Sequence, residues 1–185
     1  MSSTHVTCLN RDTALLKAVR EGNSEIAKML LEKGADVQQK TEFGSTALMC
    51  ASLRGKKEIV KMLLEKGADI NAKNKNGYTA LMMAVREGNS EIAKMLLEKG
   101  ADINAKSREG NTALMFASKR GENEIAKMLL ENGADVNIKN EHGETALTIA
   151  KRENNSEVVE IINKQIAQKS SAKNSAEFIN IAKGR

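Results

Sequence analysis

The sequence predicts an all-α solenoid of five helix-turn-helix repeats with protruding β-turn arms. Two observations carry this expectation. The triplet Thr-Ala-Leu recurs at Thr13, Thr46, Thr79, Thr112 and Thr145, a constant step of 33 residues. Within each step, apolar residues fall at helical spacing in two short runs separated by glycine. A fixed period of this size marks stacked supersecondary units, each too small to bury its own apolar face, and not one globular core.

The second copy shows the logic in chain order. Thr46 opens the first helix, its hydroxyl placed to accept from backbone N–H groups of the first turn. Residues 46–54 read T-A-L-M-C-A-S-L-R, with apolar side chains on one face. Gly55 stands where a left-handed residue closes a helix. The second helix, K-E-I-V-K-M-L-L-E-K, presents Ile59, Val60, Met62, Leu63 and Leu64, and Gly67 ends it, as Gly34, Gly100 and Gly133 do elsewhere. An extended arm follows, A-D-I-N-A-K-N-K-N-G, turning at Gly77, with Gly44, Gly110 and Gly143 in the same place.

The array is expected to span residues 1–168, with copies at about 10–40, 41–73, 74–106, 107–139 and 140–168. A basic tail, 169–185, helical or disordered, follows it. Copy one carries Arg11 where the others have the arm glycine, and copy five carries Asn154 where the others have the glycine of the first helix. Copy five also lacks the closing Gly-Ala-Asp. Atypical end copies are expected where one side faces water. The stretch Ala18 to Asp36 is identical to Ala84 to Asp102, and Ser52 and Ser118 share a position in copies two and four, so a 66-residue double unit overlies the single one.

The repeated motif T-A-L-M-x-A-x-x-x-G, followed by E-I-A/V-K-M-L-L-E-x-G-A-D-I/V-N, resembles the ankyrin repeat family over roughly Asn10 to Ile166. The resemblance implies a protein-interaction scaffold and names no partner. The family usually reads Thr-Pro-Leu-His where this chain has Thr-Ala-Leu followed by Leu16, Met49, Met82, Met115 or Thr148, and the chain holds no proline at all. Alanine still favours helix there. Soft thioether packing is expected to replace much of the family's histidine network.

Composition narrows the function further. The chain is 41% hydrophobic but only 2% aromatic, so Ala, Leu, Ile and Met must build the core. Of the nine methionines, Met49, Met62, Met82, Met95, Met115 and Met128 are expected to pack between helices and to bind no metal. His5 and His142 lie at opposite ends of the array, and with Cys8 and Cys50 they match no metal spacing. No nucleophile and base, paired carboxylate or phosphate-cradling loop recurs. Neither an enzyme nor a cofactor is expected. The N-terminal residues lack the basic and apolar regions of a signal peptide, and no apolar run approaches the ~18 residues of a membrane span. The expected protein is soluble, cytoplasmic and monomeric. Most of the net charge of +5 comes from Lys164, Lys169, Lys173, Lys183 and Arg185 against Glu177, which leaves the repeats nearly neutral.

Information about a partner should sit at the exposed, variable ends of the first helices. One column reads Arg20, Leu53, Arg86, Lys119, Arg152, and the next reads Glu21, Arg54, Glu87, Arg120, Glu153. Such alternating charges can satisfy one another at little net energy. Phe43 and Tyr78 on the arms, with Leu53, form a candidate apolar patch rimmed by Arg54, Arg86, Lys119 and Arg120. The alternative is that Phe43 and Tyr78 only pack against adjacent arms.

The reading that follows is a non-catalytic module binding a partner protein segment, an apolar anchor with acidic flanks, in the concave face. Nucleic-acid binding is the competing function. The interspersed acids and the lack of stacking aromatics weigh against it. A scaffold acting as a host-directed effector is a further alternative that the residues leave open.

Overall fold

The computed structural model describes residues 13–183, with side chains over 13–170. Expectations for His5, Cys8 and Arg11, and for the side chains of Lys173, Glu177, Lys183 and Arg185, lie outside the described residues. Ten helices follow in order: α1 Ala14–Glu21, α2 Ser24–Glu32, α3 Ala47–Leu53, α4 Lys57–Glu65, α5 Ala80–Arg86, α6 Ser90–Glu98, α7 Ala113–Arg120, α8 Asn123–Glu131, α9 Ala146–Arg152 and α10 Ser156–Lys183.

Each copy contributes one helix-turn-helix pair, and the pairs stack in two rows. The odd-numbered helices pack α1 on α3, α3 on α5, α5 on α7 and α7 on α9. The even-numbered helices pack α2 on α4, α4 on α6, α6 on α8 and α8 on α10. The repeating threonine starts every first helix. Its Oγ1 accepts from the N–H three residues on, at 3.4 Å for Thr13, 3.3 Å for Thr46, Thr79 and Thr145, and 3.4 Å for Thr112. In copy two Met49 Sδ returns the favour by accepting from the Thr46 N–H at 3.5 Å, and in copy five Thr148 Oγ1 does so at 2.8 Å. These are reciprocal caps of orphan donors at the helix start.

The methionine column packs as the spacing predicts. Leu16, Met49, Met82 and Met115 are buried in the core with Leu15, Leu48, Leu81 and Leu114. Each such side chain contributes roughly 1.5–3 kcal/mol of burial. Thr148 occupies the column in copy five, where no copy follows, and it is exposed. Asn154 adopts φ 59°, the left-handed conformation that glycine holds in the other copies. Asparagine is among the few side chains that tolerate it. Because Ile166, Ala167 and Gln168 stand where the other copies have Gly-Ala-Asp, α10 meets no stop signal there and runs unbroken past residue 168 to Lys183.

Polar side chains at fixed positions knit the arms. Asp36, Asp69, Asp102 and Asp135 each accept from the N–H two residues on, between 2.9 and 3.0 Å. Asn71 and Asn104 then reach forward, accepting from the backbone of Asp102 at 2.8 Å and of Asp135 at 2.9 Å. Gln38 does the same for Asp69 at 3.2 Å. Thr41, Asn74, Ser107 and Asn140 are buried at the base of the turns. The Asn74 carboxamide oxygen accepts from both Asn76 and Tyr78 N–H groups, at 2.9 and 3.0 Å. Backbone bonds link arm to arm: Lys75 N–H to Phe43 O at 3.0 Å, Arg108 to Asn76 at 2.9 Å, and Glu141 to Glu109 at 2.9 Å. The arms therefore hold a common register, and side chains in one column face one strip of surface.

Candidate functional site

That strip includes a cleft of about 660 Å³ between the arms and the C-terminal ends of α5, α7 and α9. Tyr78 comes from the arm of copy three, Phe116 from the middle of α7. Their rings meet edge to face, with centroids 5.6 Å apart and planes at 69°. The Arg86 guanidinium sits 5.6 Å from the centre of the Tyr78 ring, in cation–π range. Both aromatics are half-buried against the core, so each keeps an open edge. Met115 and Ile149 supply further apolar lining.

The charged groups of the cleft are balanced. Arg86, Lys119, Arg120 and Arg152 line it, and so do Glu87, Glu109, Glu144 and Glu153. Three of the cations have carboxylates of their own copy beside them. Arg86 Nε lies 3.5 Å from Glu87, Arg120 Nε 3.8 Å from Glu122, and Arg152 Nη2 2.9 Å from Glu153. Arg152 also contacts Glu144. A hydrogen bond from the Asn140 side-chain amide, assisted by Arg152, holds the Glu144 carboxyl below the usual carboxylate range. These cleft pairs each close within one copy. Lys119 is exposed at the cleft wall with no ion pair among the described residues.

The sequence-predicted residues divide in two. Tyr78, Arg86, Lys119 and Arg120 line the cleft. Phe43, Leu53 and Arg54 belong to copy two and are not among its lining residues. Leu53 packs half-buried against the core, and Phe43 is half-buried on its arm, where its carbonyl accepts from Lys75. The aromatic partner of Tyr78 is thus Phe116, which the sequence reading did not single out. Phe116 shares its column with Lys17, Cys50, Met83 and Ile149, and it is the one aromatic there. That oddity was the available signal.

Among the described residues no group of three or more His, Cys, Asp or Glu could hold a metal ion. No described helix is long and apolar enough to cross a membrane.

Stacked helix pairs with interlocked arms define a repeat-built solenoid. The sequence matches the family described as ankyrin repeats (3 copies) over residues 15–107, and that described as ankyrin repeats (many copies) over residues 98–150. The chain belongs to the ankyrin repeat family, whose domains are generally protein–protein interaction modules and typically non-catalytic. A search of the curated proteins finds no match.

Proposed function

We propose that this protein binds a segment of a partner protein in the cleft of copies three to five, without catalysing a reaction. The observation that carries the reading is the Tyr78–Phe116 pair capped by Arg86. Two aromatic edges and an arginine within one cleft are the groups that dominate interface hot spots. The cleft's charges balance, so the affinity comes from an apolar anchor seated against the two rings. Acidic flanks on the partner pair with Lys119 and compete with the local carboxylates for Arg86 and Arg120, which selects against basic partners. The same columns carried back one copy add Leu53, Arg54 and Phe43 at the open end of this surface.

The test is affinity capture from the source organism's lysate with wild type beside Tyr78→Ala. The captured partner's binding segment is then titrated against both, over a salt series. The expected result is a protein partner lost or weakened by ~2 kcal/mol or more in Tyr78→Ala, with a shallow salt dependence. A nucleic acid as the captured species, with binding that falls steeply with salt, would overturn the reading.

A further inference from the structure

The two ends of the stack are finished differently. At the C-terminal end, two of the positions that would face a following copy have turned polar. The column Leu31, Leu64, Leu97, Leu130 becomes Asn163, and Leu16, Met49, Met82, Met115 becomes Thr148. At the N-terminal end nothing of the kind occurs in the second helix. α2 and α6 have one sequence, Ser-Glu-Ile-Ala-Lys-Met-Leu-Leu-Glu. In α6, Ile92 is only 2% exposed, because α4 packs over it. In α2 its counterpart Ile26 is 46% exposed, and Met29 is 54% exposed. Leu30 is half-buried where Leu63, Leu96 and Leu129 are buried. An interior surface, unaltered in sequence, stands open at this end among the described residues.

The internal junctions say what fits it. In two of them the first residue of one second helix reaches the glutamate at the second position of the next. Lys57 Nζ donates to Glu91 at 2.9 Å, and Asn123 bonds Glu157 in the same way. Glu25 is the exposed carboxylate of that column in copy one. The covering helix α4 carries Lys57, then Val60 and Leu64 one and two turns later. Val60 is buried with a copy beyond it, whereas its counterpart Val159, with none, is half-buried, so this row faces the following copy.

We propose that the α2 face is a second docking surface, separate from the cleft, for an amphipathic helix of a partner protein. That helix carries a cationic first residue over Glu25, and apolar residues three and seven positions later over Ile26, Met29 and Leu30. Charge complementarity at Glu25 sets its direction, and the apolar row supplies the affinity. A second copy of this chain stacked head to tail fits poorly, because its available end presents Asn163 and Thr148.

The probe is a fluorescent, lactam-constrained peptide with the sequence Lys57 to Lys66, titrated against the full chain by anisotropy. Saturable binding is expected. Met29→Glu should weaken it about tenfold or more, which is ~1.4 kcal/mol or more, and Tyr78→Ala should leave it unchanged. Glu25→Lys should weaken it too, and a peptide carrying Lys57→Glu should restore it. Met29 is exposed, and an unchanged thermal melt confirms that the variant folds. No saturable binding overturns the proposal. So does binding indifferent to Met29→Glu, or a dimer in light scattering that Met29→Glu dissolves.

Discussion

Tyr78 and Phe116 meet edge to face across the boundary between copies three and four, 38 positions apart in sequence and 5.6 Å between ring centres. An edge-to-face aromatic pair adds about 0.5–1.5 kcal/mol beyond its buried area. A double-mutant cycle in denaturant, with Tyr78→Ala, Phe116→Ala and the double variant, should return a coupling in that range. A coupling indistinguishable from zero would show that the rings share the cleft without stabilising the junction.

Leu81 lies in the middle copy, in contact with the core on both sides and essentially fully buried. Leu81→Ala should cost roughly 2–5 kcal/mol, the transfer of the lost methyl groups plus the cavity they leave. A denaturant melt measures it, and a change inside ±0.5 kcal/mol would mean that the helix collapses fully into the space.

The double unit has a physical counterpart. Asn89 Nδ2 donates back to the carbonyls of Ser52 at 2.8 Å and Leu53 at 3.4 Å. Asn155 repeats this with Ser118 at 2.8 Å and Lys119 at 3.3 Å. These bonds tie copy three to copy two and copy five to copy four. The intervening junctions have Lys56 and Glu122 at the same position. Asn89→Ala should therefore cost about 1–3 kcal/mol by removing the side-chain donor to the helix-end carbonyls, and Glu122→Ala well under 1 kcal/mol. Equal costs in urea melts would remove the alternation.

Much of this architecture is legible in the sequence because each role falls to one residue type at one position. Threonine caps, glycine turns and the thioether column follow from spacing alone. The site is less legible where a role depends on a neighbour. Asn23 and Asn89 sit in identical sequence. Asn23 caps its own helix by accepting from Ile26 N–H at 3.0 Å, while Asn89 has a preceding copy to reach and donates to that instead. Phe116 occupies a helical core position whose counterparts Cys50 and Met83 are buried, so periodicity reads it as packing. Only the register of the arms, fixed by backbone bonds such as Arg108 to Asn76, brings Tyr78 over its edge.

The same register makes two chemically similar glycines unequal. Gly77 and Gly100 both have positive φ, 73° and 88°. A side chain at either pays for the left-handed conformation, about 1–2 kcal/mol. A Cβ at Gly100 meets nothing within 4 Å, whereas one at Gly77 meets the Arg108 nitrogen at 2.8 Å and the Ser107 carbonyl carbon at 3.0 Å. Backbone cannot swing aside as a side chain can. Gly77→Ala should thus be the costlier by a further 1–3 kcal/mol or so, the usual range for overpacking. Equal destabilisation of the two variants would mean that the arms slide freely past each other.

Acid should loosen copy five through Glu144. Its carboxyl accepts from the Asn140 amide at 3.2 Å and contacts Arg152, and both hold it below the usual carboxylate range. A carboxyl lowered in the folded state contributes stability that is fully present above its unfolded value. That contribution fades as pH falls through the lower, folded value. Glu91 follows the same sign through its hydrogen bond from Lys57. Melting temperatures taken from about pH 7 down to about pH 3 should fall for the wild type, and fall less for Glu144→Gln. The substitution should also lower the neutral-pH melt, since a neutral amide accepts more weakly than a carboxylate. The paired variant Arg152→Gln should flatten the acid limb in part, leaving the share that the Asn140 bond sustains. An acid limb in Glu144→Gln as steep as that of the wild type would assign the pH dependence to other carboxylates.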